Sequence, residues 1–199
     1  MYKLIIFDLG GVLFTDGSNL FVEYLHKEYH LPVEDIKHVI SGKIGTAYRE
    51  GKITRDEFWK KVLEKLPING DPSLLEKQWI NSYDLIDETK IIIQLLRKHY
   101  SLFYLSDNVK ERVDALNTKF QFLSLFDGGV FSHEVGVRKP DPRIYLAALE
   151  KAHMNPQESV FIDDKESSLP PAKALGIETI LFTTPKQLKY DLERIGVNL

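Results

Sequence analysis

Short β-branched and aromatic runs occur at residues 3–7, 101–105, 128–132, 159–163 and 177–182, and each has the length and composition of a buried strand. Helical spacing fills the intervals between the later runs. In 87–99, Ile91, Ile92, Leu95 and Leu96 recur on one helical face. Further helices are predicted at 108–117, 142–153, 170–175 and 185–194. Alternation of strand and helix predicts an α/β fold with a parallel sheet, and right-handed crossovers put the helices on both faces. From about residue 16 to residue 87 the strand signal fades. Leu20, Phe21, Tyr24 and Leu25, then Phe58, Trp59, Val62, Leu63 and Leu66, follow i, i+3, i+4 spacing instead. The breaks Gly51-Lys52-Ile53-Thr54 and Asn69-Gly70-Asp71-Pro72 divide this stretch into several helices, with Thr54 as an N-cap three residues before Glu57.

The expected organisation is therefore a core of residues 1–15 and 88–199, with a helical cap, residues 16–87, inserted after the first strand. An insertion there lies over the carboxyl edge of the sheet, where open α/β sheets bind ligands. It is either a lid or a subdomain that only packs. With 199 residues and 43% hydrophobic content, the chain can bury a substantial core. Its net charge of −3, without long single-sign runs, excludes the electrostatic footprint of a nucleic-acid or membrane binder. No apolar stretch approaches the roughly 20 residues that span a bilayer. Cysteine is absent, which removes disulfides, thiolate metal sites and thiol catalysis, and the cytoplasm is the expected location. The expected partner is a small diffusing molecule, and the expected assembly is a monomer or weak homodimer.

Four of the strand-end segments carry chemistry. Asp8 ends the first apolar run and is followed by Gly10-Gly11. Alone it reads as a turn or cap residue, yet an aspartate there can also form an acyl-phosphate and split a hard hydrolysis in two. Asp163-Asp164 ends the run Val160-Phe161-Ile162, and adjacent carboxylates repel unless a cation resolves the conflict. Magnesium suits this demand, because it takes hard oxygen ligands and is held by one or two carboxylates plus substrate phosphate. Asp8, Asp164 and the carbonyl of Gly10 would serve, with Asp163 beside them. Like charges about 4 Å apart cost roughly 4 kcal/mol at an effective dielectric near 20, so a phosphate arriving among three carboxylates needs cations. Lys139, in a loop stiffened by Pro140 and Pro142, would supply one. Ser106 and Asp107 stand where a strand gives way to a helix start, a place for phosphate oxygens, although the Asp107 charge must be turned away. His26 and His30 share a helix face without a third ligand, and Tyr48, Phe58, Trp59 and Trp79 read as core.

Together these segments resemble the haloacid dehalogenase superfamily. Phe7-Asp8-Leu9-Gly10-Gly11-Val12-Leu13 is similar to its first motif, Ser106 to its second, Gly136-Val137-Arg138-Lys139-Pro140-Asp141-Pro142-Arg143-Ile144-Tyr145 to its third and Val160-Phe161-Ile162-Asp163-Asp164 to its fourth. The insertion is similar to the helical cap of the family's C1 class, and Glu50-Gly51-Lys52-Ile53-Thr54 to its small sugar-phosphate phosphatases. The resemblance implies a Rossmann-like, doubly wound parallel sheet of order 5-4-1-2-3 and a magnesium-dependent phosphatase of small phosphorylated metabolites. It implies Asp8 as nucleophile, Ser106 and Lys139 on the phosphoryl group, and Asp164 as metal ligand with Asp163 beside it. Two positions depart from the family. Gly10 stands where most of its phosphatases place a second aspartate as general acid and base, and Asp16 is a candidate replacement. Ser167 and Ser168 replace the Asp or Asn common after the fourth motif. A metal-free 2-haloacid dehalogenase and a phosphate- or partner-binding protein of weak activity are the alternatives.

Overall fold

The computed structural model describes all 199 residues. Five parallel strands, β1 (Leu4–Phe7), β2 (Ser101–Ser106), β3 (Gly128–Phe131), β4 (Ser159–Asp163) and β5 (Glu178–Leu181), form one sheet of order β3-β2-β1-β4-β5. This is the expected order, read from the opposite edge. β1 lies at the centre, with Phe7 in register with Tyr104 on one side and Ile162 on the other. Its residues are buried on both faces, which is why they read as a continuous apolar run. Ile5 and Phe7 enter one apolar cluster and Leu4 and Ile6 the other.

Five inserted helices follow β1: α1 (Gly17–Tyr29), α2 (Val33–Ile40), α3 (Lys43–Arg49), α4 (Arg55–Lys65) and α5 (Pro72–Asn81). The chain enters and leaves them through adjacent linkers. Phe14 and Leu85 form an antiparallel bridge, and Thr15 N donates to Asp84 O at 2.9 Å. Thr54 caps α4 through a capping box: Glu57 N donates to its hydroxyl, and Thr54 N donates to the Glu57 carboxylate. α6 (Asp87–Leu96) leads from the insertion into β2, and α7 (Lys110–Phe120), α8 (Ser132–Val135), α9 (Pro142–Ala152), α10 (Leu169–Ala174) and α11 (Pro185–Arg194) follow the later strands. α7 begins two residues later than its apolar spacing predicts, because Val109 is extended and the Asn108 side chain accepts from its N–H.

A cluster of 39 buried apolar residues runs without a break from the sheet into the inserted helices. Phe58, Trp59 and Trp79 belong to it, with Phe21 stacked on Trp79 at 4.7 Å, so these aromatics are core. Across the junction, Arg112 of α7 meets Glu76 of α5 at 3.2 Å with both side chains buried. Glu76 also accepts from Trp59 Nε1 at 2.7 Å, and the Arg112 guanidinium lies 3.7 Å from the Trp79 ring centre. No helix is long and apolar enough to cross a membrane.

Candidate active site

The carboxyl ends of β1, β2 and β4 meet where the linkers to the inserted helices begin. Asp8 continues β1, its N–H donating to Ile162 O at 2.8 Å, and its side chain is almost wholly buried. Asp8 Oδ1 accepts from Leu9 N at 2.7 Å and lies 2.9 Å from Lys139 Nζ. Lys139 also reaches Asp163 Oδ2 at 2.6 Å and donates to Leu105 O at 3.2 Å. One ammonium thus ties together residues from the ends of three strands.

The loop that carries Lys139 is held by Asp107. Its two carboxylate oxygens accept from Lys139 N at 3.0 Å and Arg138 Nε at 3.1 Å. Asp107 was expected among the phosphate-binding residues. Its carboxylate is turned onto the loop and anchors it, while the residue itself borders the cavity that Ser106 and Lys139 line. Asp163 is fully buried with both oxygens engaged, by Lys139 Nζ and by Lys165 N at 2.7 Å. Asp164 differs, since its Oδ1 is buried without any hydrogen-bond partner. Ser106 ends β2, buried, and borders the same cavity.

The neighbouring glycines serve different ends. Gly11 has φ +84°, and a Cβ there would sit 2.3 Å from Asp164 Oδ2, so only glycine lets the turn pass under that carboxylate. A Cβ at Gly10 would meet nothing within 4 Å.

Burial strips water from Asp8 and pushes its carboxyl up to about 7, with Asp163 and Asp164 adding to the shift and Lys139 and Lys165 opposing it. Asp164 is raised for the same reason, burial first, opposed by Lys165. Burial works against the charge on Lys139, but the carboxylates of Asp8, Asp163 and Asp107 hold it well above the ordinary lysine value. Three acids face two lysines, leaving excess negative charge. Asp8, Asp163 and Asp164 each offer an oxygen within 4.8 Å of the others. These hard oxygens, one of them orphaned, fit a divalent cation. His26 and His30 gather no such set: His26 Nδ1 contacts Leu31 O, and His30 ends α1 in the left-handed region.

A cavity of about 590 Å³ is lined by Asp8, Ser106, Lys139 and Lys165, and only three of its 21 lining residues are hydrophobic. Asp16, Ser167 and Ser168 border it. Both Asp16 oxygens accept from Asn19, at 3.1 Å from its N–H and 2.6 Å from its side chain, so Asp16 caps α1. The sequence reading missed Lys165 and Arg49. Lys165 was detectable from its place beside the acid pair, where a buried cation offsets charge. Arg49 lies in an insertion that apolar periodicity does not register against the core.

A family pattern described as Haloacid dehalogenase-like hydrolase matches residues 5–182. An uncharacterised protein of Dictyostelium discoideum is 32% identical over 145 residues, 70% of this chain and 63% of that protein, so the chain spans less than two thirds of its length. D-ribitol-5-phosphate phosphatase of Bacteroides thetaiotaomicron is 29% identical over 192 residues, covering 90% of this chain and 91% of that one. Among solved structures, a Bacteroides thetaiotaomicron enzyme in complex with magnesium and inorganic phosphate superposes with a TM-score of 0.77 at 23% identity. The superposition covers 92% of this chain and 95% of that one. An L-2-haloacid dehalogenase of Xanthobacter autotrophicus shares the fold at a TM-score of 0.68 and 19% identity, over 100% and 85% of the respective chains.

Proposed function

The chain belongs to the haloacid dehalogenase-like hydrolases, and from that premise we propose that it hydrolyses a small phosphorylated metabolite, such as a sugar phosphate, by a magnesium-dependent reaction through an aspartyl-phosphate. What carries this reading is the convergence of Asp8, Lys139, Asp163 and Asp164 at the strand ends, with Asp164 Oδ1 lacking a partner. Asp8, Asp164 and the carbonyl of Gly10 would hold the cation, which when bound supplies positive charge to the phosphoryl oxygens and to the carboxylates.

The residues of the chain account for the rest. Leu9 N and Lys139 engage Asp8 Oδ1, so Oδ2 is the oxygen free to attack phosphorus. The phosphorus–oxygen bond to the leaving group breaks as the bond to Asp8 forms, and water then cleaves the acyl-phosphate to release inorganic phosphate. Lys139, fixed by Asp163 and Leu105 O, stays charged throughout and pairs with the phosphoryl oxygens. Asp163 positions that lysine. Ser106 borders the place where those oxygens would lie. Asp16 is the acid nearest in kind to the one Gly10 lacks, and it would have to leave its cap on α1 to protonate the departing oxygen.

The inserted helices act as a cap that shapes the cavity, and the polar lining supports a hydroxylated substrate. The curated relative acting on D-ribitol 5-phosphate is consistent with that choice. We place the protein in the cytoplasm as a monomer or weak homodimer. A haloacid dehalogenase reaction needs no cation, and three clustered carboxylates count against it. The test is turnover of a panel of phosphorylated sugars and polyols with magnesium. Asp8→Asn should abolish turnover, and equal rates in the variant and the wild type would overturn the proposal.

A further inference from the structure

Arg49 ends α3 and lines the cavity, 7% exposed. Its side chain makes one hydrogen bond, from Nη1 to Ile40 O at 3.1 Å, leaving Nε and Nη2 uncommitted. A Cβ at Gly45 would lie 1.7 Å from Ile40 O and 2.8 Å from Nη1, so glycine is required first by the carbonyl that holds the guanidinium and also leaves room for it. Buried guanidiniums normally have acids beside them. Two neighbours do: Arg112 has Glu76 at 3.2 Å, and Arg138 has Asp107 at 3.1 Å. Arg49 has none. Burial, then the charges of Arg112 and Arg138, push it down to about 10, with Tyr83 and the Asp107 carboxylate opposing.

The cavity's own acids are engaged elsewhere. Glu50 pairs with Lys52 at 2.7 Å, Asp141 with Arg143 at 2.6 Å, and Asp16 with Asn19. Lys165, the other lining cation without an ion pair, is offset by Asp8, Asp164 and Asp16. Of the lining cations only Arg49, on the inserted helices, and Lys165 lack an ion pair, and Arg49 faces the charges of two arginines against the single carboxylate of Asp107.

We infer that Arg49 receives a second oxyanion carried on the leaving group, so that the preferred substrate is a phosphorylated polyhydroxy compound bearing a carboxylate or a second phosphate. The planar fork of arginine pairs with either group through two N–H donors. This inference rests on the phosphatase reading and narrows it to one substrate class.

The test compares kcat/KM of the magnesium-loaded protein on 6-phosphogluconate, fructose 1,6-bisphosphate and the neutral glucitol 6-phosphate. One of the two doubly anionic compounds should exceed the neutral one by roughly tenfold or more, mainly through KM. Which of them prevails identifies the oxyanion. Arg49→Gln should collapse that ratio toward one. Should the variant not fold, competition in the wild type decides, with gluconate inhibiting glucitol 6-phosphate hydrolysis at concentrations where glucitol does not. Equal kcat/KM on all three compounds, equal inhibition, or an unchanged ratio in Arg49→Gln overturns the inference and leaves the phosphatase reading standing. Hydrolysis of none of them overturns the phosphatase reading, and the inference falls with it.

Discussion

Gly10 and Gly11 are adjacent and identical in sequence, yet they are unequal in what they permit. Gly11→Ala would strain a backbone at φ +84° and drive a methyl into Asp164. We expect it to lose about 10–100-fold in magnesium affinity, measured by titration of activity. Gly10→Asp meets open space and restores an acid where the family's phosphatases place one. It should raise turnover of alkyl phosphates by at least roughly tenfold, and no gain would show that another group already delivers the proton. Asp8 carries a cost of its own. Its folded-state value of about 7 lies above its ordinary 3.8, so its contribution to stability is complete below about pH 4 and is lost as pH rises through 7. Denaturant midpoints in EDTA should fall across that window, and Asp8→Asn should flatten the decline. An identical decline in the variant would assign the effect to other groups.

Among the elements, the contact between α5 and α7 joins the insertion to the core. Glu76→Gln leaves Arg112 buried without a counter-charge, and we expect a loss of about 3–5 kcal/mol in chemical denaturation. A loss under 1 kcal/mol would mean that the cation–π contact with Trp79 suffices. The strands were legible because apolar runs of strand length leave few other readings, whereas the sheet order came only from the family resemblance that the motifs ending them carry. The capping box of α4 was legible too, since Thr54 and Glu57 interact over three residues. Glu76–Arg112 was not, because 36 residues separate the partners and neither differs in sequence from a surface charge. The same holds for Arg49, whose environment comes from α2 and from core residues far along the chain. Asp107 was legible as a strand-end acid, but its direction depends on a loop 31 residues later.

At the scale of the whole molecule, cation binding and stability are linked. Magnesium at ten times its Kd should stabilise the protein by about 1.4 kcal/mol, read from denaturation with and without EDTA. Asp164→Asn should erase that gain, and a gain that survives would place the ion elsewhere. Because one apolar cluster spans the sheet and the insertion, the two should unfold in a single transition. Both tryptophans of the chain, Trp59 and Trp79, lie in the inserted helices, and the Arg49 guanidinium stands 5.8 Å from the Trp79 ring centre. Indole emission is sensitive to charges at that range, so the protein carries its own optical reporter: an anion seated on Arg49 would alter fluorescence with no label attached.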